Sequence, residues 1–332
     1  MRTDLLEILR CPQSGLPLVL ETPVMSGERV REGWLVAEDG SHRYPIKDFV
    51  PRFVPEHNYA DSFGMQWLRF RRTQLDSYSG HPISANRFWK ATGWCPADLE
   101  GQWTLDVGCG AGRFAEVALG AGAHVVALDY SAAVDACFEN LRDHPRLHVI
   151  QGDIYALPFA HRSFAHVYSL GVLQHTPDVA HAFAALPPML APRGRLCVDF
   201  YEKSWKSALL PKYWLRPLVR RMPRTELFAL CERMVPRLLP LSFALGRVPA
   251  VGRTLRRLVP VANHAGILPL DSAQLREWAL LDTFDWLAPE YDNPQTAQSV
   301  RRWLEEAGLL DIDVLKAGHL TGRGTAAHAP RD

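Results

Sequence analysis

The chain has no apolar run of about 20 residues, the length a bilayer-spanning helix needs, so no membrane span is expected. It has no imbalance of charge. Its 37 Lys plus Arg stand against 36 Asp plus Glu, a formal net +1, and bulk charge implies no nucleic-acid partner. It has no close cysteine pairs. Cys11, Cys95, Cys109, Cys137, Cys197 and Cys231 are scattered, which argues against a zinc site and a disulfide framework. A reducing cytoplasm is then the simplest compartment. The opening residues, MRTDLLEILRCP, carry acids and lack the long apolar core of a secretory signal. What is present is an ordinary globular composition, 47% hydrophobic and 22% charged over 332 residues. That length allows one to three domains.

The most informative stretch is 103–129. Trp103 to Val107 reads as a buried strand that ends in Gly108-Cys109-Gly110-Ala111-Gly112. Phe114 to Leu119 reads as a helix, and His124 to Leu128 as a second strand ending in Asp129. Glycines allow a sharp turn and the close approach of a ligand. The helix start offers free N–H groups, and an acid at the next strand tip is placed to accept from a ribose diol. By itself this spells an adenosine-type ligand on a doubly wound α/β sheet. The spacing is G-x-G-x-G, not the G-x-G-x-x-G of dinucleotide binders.

Two further stretches follow: Gly152-Asp153-Ile154-Tyr155-Ala156-Leu157-Pro158-Phe159, then Ser169-Leu170-Gly171-Val172-Leu173-Gln174-His175-Thr176-Pro177-Asp178. Together the three resemble the class I S-adenosylmethionine (SAM) methyltransferases, over about residues 60–200 and 290–325. The resemblance implies a seven-stranded, mostly parallel, Rossmann-like sheet, SAM as cofactor, and methyl transfer. It matches Asp106 to the acid near the methionine end of SAM. Gly108 and Gly110 match the residues whose backbone meets its methionyl and ribose parts. Asp129 matches the ribose-diol acid, and Asp153 the acid that binds the adenine amine, with Ile154 as an apolar edge beside it. Tyr130, Ser169 and Leu170, at strand tips on the same side, complete the candidate cofactor set.

Thr176-Pro177-Asp178 reads as a helix start: a cap, a proline at the first position and an acid for the dipole. His175 is left over, just past a strand's carboxyl end, and is the candidate general base. The alternative for it is a structural or methyl-lining group. Asp199, Tyr201 and Glu202 are candidates for the acceptor side.

Outside this core (101–202) four segments are expected. Residues 1–59 form a small β-rich domain. Its LLEILRCPQSGLPL and GWLVAEDGSHRYPIKDFVPRFV resemble the Trm112-like family, whose zinc-binding members carry C-P-x-C and a second cysteine pair. Here Cys11-Pro12-Gln13-Ser14 stands in place of the first pair and no cysteine lies between 12 and 94, so a version without metal is expected. Residues 60–100 form an aromatic lid, with Phe63, Trp67 and Phe70 at helical spacing and Arg69, Arg71 and Arg72 on a solvated face. One of these arginines is an alternative partner for the SAM carboxylate. Residues 203–290 form a helical cap. From Lys203 to Pro260 it carries 13 Lys plus Arg against Glu226 and Glu232, a local net of +11. Its prolines are expected to break it into short amphipathic helices, which read as a cap with solvated arginines, as a membrane-surface or lipid-acceptor element, or as a site for a polyanionic acceptor. Residues 291–332 close the sheet, with a helix at Thr296 to Ala307 and a strand at Ile312 to Leu315.

The expected activity is SAM-dependent methylation, on oxygen or carbon, of a small-molecule or lipid-like acceptor, with peripheral membrane contact through 203–260. An NAD-type oxidoreductase and a non-catalytic binding module are the rival readings. The glycine spacing and the Gly152-Asp153 stretch disfavour the first, and the intact glycine loop with both acids disfavours the second.

Overall fold

The computed structural model describes residues 1–54, 61–204 and 211–328. The side chains of Asp61, Ser62, Phe63, Met65 and Arg253 lie outside that description, and with them the expected role of Phe63. Strands β1 (Leu18–Ser26), β2 (Arg29–Ala37), β3 (Arg43–Lys47) and β4 (Val50–Pro51) make an antiparallel sheet in sequence order. Gly27 and Gly40, both with φ in the left-handed region, serve the expected turns at Ser26-Gly27 and Asp39-Gly40.

The second sheet contains β5 (Trp103–Val107), β6 (His124–Asp129), β7 (Leu147–Gln151), β8 (Phe164–Ser169), β9 (Leu190–Phe200), β10 (Leu310–Ala317) and β11 (His319–Thr325). Their spatial order is β10-β11-β9-β8-β5-β6-β7. Strands β5 to β9 are parallel, and β11 pairs antiparallel with both β9 and β10. This is the doubly wound, mostly parallel sheet expected from the alternation of apolar runs and helical stretches. Parallel strands are covered on both faces, so β7 (LHVIQ) is buried at every residue and β6 at its four central ones. The chain order reverses at β5, whose neighbours are β6 and β8. Ligands bind in the crevice that opens at such a switch, outside the strands' carboxyl ends.

On one face of the sheet pack the Ile83–Thr92, Arg113–Gly120 and Ala133–Leu141 helices, through Phe88, Phe114, Ala118, Val134 and Cys137. On the other face Val179, Phe183, Val300, Trp303 and Leu304 share one core with the small sheet's Leu18, Leu35, Tyr44 and Ile46. The small sheet is also hydrogen-bonded to the large one. Phe53 N donates to Gln151 O at 2.8 Å, and Arg10 N to Pro158 O at 2.9 Å. Arg52 reaches both Gln151 and Asp135.

Two local expectations change. The cap of the helix after β8 is Asp178, whose carboxylate accepts from His181 N. Thr176 instead donates to Leu173 O, closing the preceding turn. The second concerns the cap segment, where Arg224–Gly246 is one 23-residue helix running through Pro236 and Pro240. Both prolines lie on its exposed side, opposite Leu227, Cys231, Val235 and Leu239. The carbonyls that lose a partner there face water, and the buried side packs against the Ser272–Leu287 helix.

Helix-to-sheet contact is close at Gly322 of β11. A Cβ there would meet Val300 Cγ1 at 2.6 Å, and Val300 is fully buried. Gly322→Ala is expected to cost about 1–3 kcal/mol through overpacking, read as a lower urea midpoint. Adding Val300→Ala is expected to return part of the loss relative to Val300→Ala alone; strict additivity of the two changes contradicts this contact.

Candidate functional site

The loop after β5 depends on glycine. Gly108, Gly110 and Gly112 have φ of +83°, +52° and +90°. A Cβ on Gly108 would lie 2.4 Å from the Val172 methyls, and one on Gly110 would lie 3.2 Å from the Trp67 indole. The loop backbone is anchored to the end of β6. Gly108 N and Cys109 N both donate to Leu128 O, and Gly110 N donates to Asp129 Oδ2 at 2.9 Å. Asp129 Oδ1 accepts from Ser131 N at 2.9 Å and Ser131 Oγ at 2.7 Å. One carboxylate therefore joins the glycine loop to the start of the next helix. Three of its roughly four lone-pair sites are used. Burial pushes Asp129 upward, and its bonds to Ser131 and Gly110 oppose that.

These residues form one wall of a cavity of about 1050 Å³. Gly108, Gly110, Asp129, Tyr130, Ile154, Leu170 and His175 all line it, bringing together seven of the ten residues singled out in the sequence. The other three are not among its lining residues but adjoin them in the chain. Asp153 Oδ1 accepts from Tyr155 N at 2.9 Å and caps a short turn. Ser169 Oγ donates to Val107 O at 2.9 Å, tying β8 to β5. Asp106 lies beneath the glycine loop, 2% exposed, and its Oδ2 has no hydrogen-bond partner among the described residues. Burial pushes Asp106 up to about 8, with the nearby Tyr168 hydroxyl opposing.

The lid's Trp67 covers the loop and lines the cavity, while Phe70 packs into the cap with Phe228. The three lid arginines are engaged elsewhere. Arg69 pairs with Glu232, Arg71 donates to Asn140, and Arg72 lies over the Tyr78 ring.

Several cations line the cavity, and Arg113, which no motif in the sequence marks, is the one that follows the glycine loop directly. Its Nε donates to Ser84 Oγ and its Nη1 to Gln74 Oε1, both at 2.9 Å. Both partners are neutral, and among the described residues no carboxylate lies within ion-pair distance of it. Burial lowers it to about 9. A cue was available: a basic residue directly after the glycine loop, in the first turn of a helix, opposes the macrodipole and needs a reason. Arg87 is the second missed cation. It pairs with Asp199 at 2.9 Å, and Asp199 also accepts from Gly171 N.

On the acceptor side His175 Nδ1 lies 3.0 Å from Tyr291 O. A carbonyl only accepts, so the proton resides on Nδ1 and Nε2 is the basic nitrogen. Across the cavity the Ser272–Leu287 helix contributes Asp282 and Asp285. Asp282 Oδ2 lies 2.7 Å from His264 Nε2, and Asp285 accepts from Gln66 at 3.5 Å. Burial raises Asp285, and the His175 imidazole opposes it. Tyr201 and Glu202 line the same space, with Lys212 lying 4.4 Å over the Tyr201 ring and paired with Asp292. Among the described residues no group of three His, Cys, Asp or Glu is placed to hold a metal ion.

Residues 105–198, from the glycine strand through β9, match the family model described as a methyltransferase domain. A ubiquinone biosynthesis O-methyltransferase of Rhodopseudomonas palustris (strain TIE-1) is 29% identical over 127 residues, 38% of this chain and 50% of that protein. A 2-phytyl-1,4-naphtoquinone methyltransferase of Thermosynechococcus vestitus is 32% identical over 114 residues, 33% of this chain and 51% of that protein. The chain spans about half the length of these curated relatives. Among solved structures, human N-acetylserotonin methyltransferase in complex with SAM is similar with a TM-score of 0.46 at 12% identity, over 82% of this chain and 60% of that one.

Asp106 makes stability depend on pH. Its carboxyl moves from 3.8 in the unfolded chain to about 8 in the native one. Between those values only the native chain keeps the proton, so this group's contribution falls as pH rises through the window, by at most about 1.4 kcal/mol per pH unit. Asp106→Asn removes that slope. Urea unfolding at pH 5, 6, 7 and 8 is expected to show the variant gaining on the parent protein as pH rises; a pH-independent difference contradicts the buried protonated acid.

Proposed function

We propose that this chain is a SAM-dependent methyltransferase acting on a small-molecule or lipid-like acceptor, at oxygen or carbon. The observation that carries the reading is Asp129, a half-buried carboxylate on the cavity wall that also fixes the glycine loop. Its Oδ2 retains a lone pair for a ribose hydroxyl, and the Ser131 hydroxyl, which can rotate, can release a second site on Oδ1. The residues present fit the cofactor. Tyr130 and Ile154 supply flat apolar contacts, and Asp153 keeps Oδ2 for an adenine amine, because Oδ1 holds the Tyr155 amide. Arg113, a half-buried guanidinium bonded to neutral oxygens, suits the methionyl carboxylate. Asp106, with an unpartnered buried oxygen beneath the loop, suits the ammonium end.

SAM, when bound, supplies a methyl group already activated on a sulfonium. The chain's part is to hold, align and shield. Trp67 closes over the loop and excludes water, and the cap residues Trp278 and Val261 line the far wall. For an oxygen acceptor, His175 Nε2 takes the hydroxyl proton and the resulting imidazolium keeps its Nδ1 bond to Tyr291 O. Asp285, on the facing helix, balances the new charge. The lead domain reads as a metal-free Trm112-like unit in which the Tyr44 hydroxyl at 3.2 Å and the Ser14 amide at 3.4 Å surround the Cys11 thiol. Residues 60–100 act as the lid and 203–290 as the cap of a cytoplasmic enzyme.

Calorimetry with S-adenosylhomocysteine separates the two halves of the site. Asp129→Ala is expected to lower its affinity about 100-fold or more, since the loop tie and charge-assisted bonds are lost together. His175→Ala is expected to leave that affinity within a few-fold of the parent protein. On an oxygen acceptor found by mass gain of one methyl, it is expected to slow transfer about 10²- to 10⁴-fold. Unchanged affinity in Asp129→Ala contradicts the cofactor assignment; unchanged transfer in His175→Ala contradicts the base.

A further inference from the structure

The cap's outer surface gathers exposed apolar and basic side chains. Trp214 (60% exposed), Leu218 (74%), Leu258 (56%) and Ile267 (59%) all lie in it. On the Arg224–Gly246 helix the exposed stripe is Leu230, Arg233, Arg237 and Leu241, spaced i, i+3, i+7 and i+11. The buried face of that helix lies opposite, at Leu227, Cys231, Val235 and Leu239. Arg220, Arg221, Arg247 and Arg257 are also exposed. The cap's two acids in Lys203–Pro260 do not interrupt this stripe strongly, because Glu232 is held by Arg69 of the lid and Glu226 stands at the helix start.

Two parts of this surface, the Pro211–Val219 helix and the 256–268 stretch, also border the cavity, whereas the Arg224–Gly246 helix does not line it. In the Pro211–Val219 helix, Lys212, Tyr213 and Leu215 line it while Trp214 and Leu218, one turn apart, face outward. Arg257 and Ile267 are at once exposed and cavity-lining, so they stand at its mouth. No helix among the described residues is long and apolar enough to cross a membrane. A 23-residue helix is about 35 Å long, and one whose exposed stripe sets arginines between leucines suits the plane of a membrane interface.

We propose that the outer face of the cap docks on an anionic lipid bilayer, with the cavity mouth at the membrane surface. The arginines meet lipid phosphates, and Trp214, Leu218, Leu241 and Ile267 enter the boundary between headgroups and acyl chains. A phosphate backbone without lipid explains the arginines but leaves the interleaved Trp and Leu side chains in water. Entry of the acceptor from the membrane rests on the methyltransferase reading, whereas docking itself rests only on this surface.

Vesicle flotation of the full chain tests docking without cofactor or acceptor. Binding is expected to vesicles of phosphatidylcholine with phosphatidylglycerol, to be much weaker on phosphatidylcholine alone, and to fall about tenfold or more between low and high salt. Arg233→Gln with Arg237→Gln, and separately Trp214→Ser with Leu218→Ser, are each expected to reduce binding about tenfold. Both pairs are on the surface, and S-adenosylhomocysteine affinity in each should match the parent protein, which shows that the fold is intact. No flotation with anionic vesicles at low salt overturns the proposal. So does binding that ignores the Trp214 and Leu218 changes, or binding to single-stranded RNA in place of vesicles.

Discussion

The Asp129 carboxylate is the interaction on which the site depends. It accepts from Gly110 N on one side and from Ser131 on the other. It thereby fixes a loop that has three glycines in the left-handed region and little enthalpy of its own. Sheet geometry brings these partners together. Parallel pairing of β5 with β6 sets Val107 beside Leu128, so the end of each strand delivers its loop to the other. The covering layer is also constrained, because Trp67 lies so close to the Gly110 backbone that a Cβ there would approach its indole to 3.2 Å.

The cavity combines this well-satisfied wall with polar groups that are not fully matched. Arg113 is half-buried on neutral oxygens, Asp106 keeps an orphan oxygen, and Asp285 is raised by burial. Each costs folding free energy when left without a partner. Costs of this kind persist at sites where a ligand supplies the missing charge. A cofactor carrying both a carboxylate and an ammonium meets that description better than a neutral one. The apolar cap then excludes water, which strengthens every remaining electrostatic contact.

Much of this was readable in the chain because it is local. The glycine loop, the acid at the tip of β6 and the Gly152-Asp153 turn each lie within a few residues of the strand that positions them. Val300, Trp303 and Leu304 repeat at helical spacing and are buried as that spacing implies. Arg113 and Arg87 were hidden because their meaning comes from distant partners: Gln74 and Ser84 for one, Asp199 on β9 for the other. Pro236 and Pro240 misled for a different reason. A proline inside a helix removes one hydrogen bond and bends the turn before it, and here both prolines are exposed, where water can satisfy the freed carbonyl and the helix continues. Of the three lid arginines, Arg69 and Arg71 are engaged across long separations by Glu232 and Asn140, whereas Arg72 lies over Tyr78, six residues on.

The most direct test is a calorimetric titration of the unaltered protein with S-adenosylhomocysteine, with NAD as the comparison ligand. The account predicts micromolar or tighter binding of the first and none of the second. Binding of NAD instead, or of neither, contradicts a cofactor site built on Asp129 and the glycine loop.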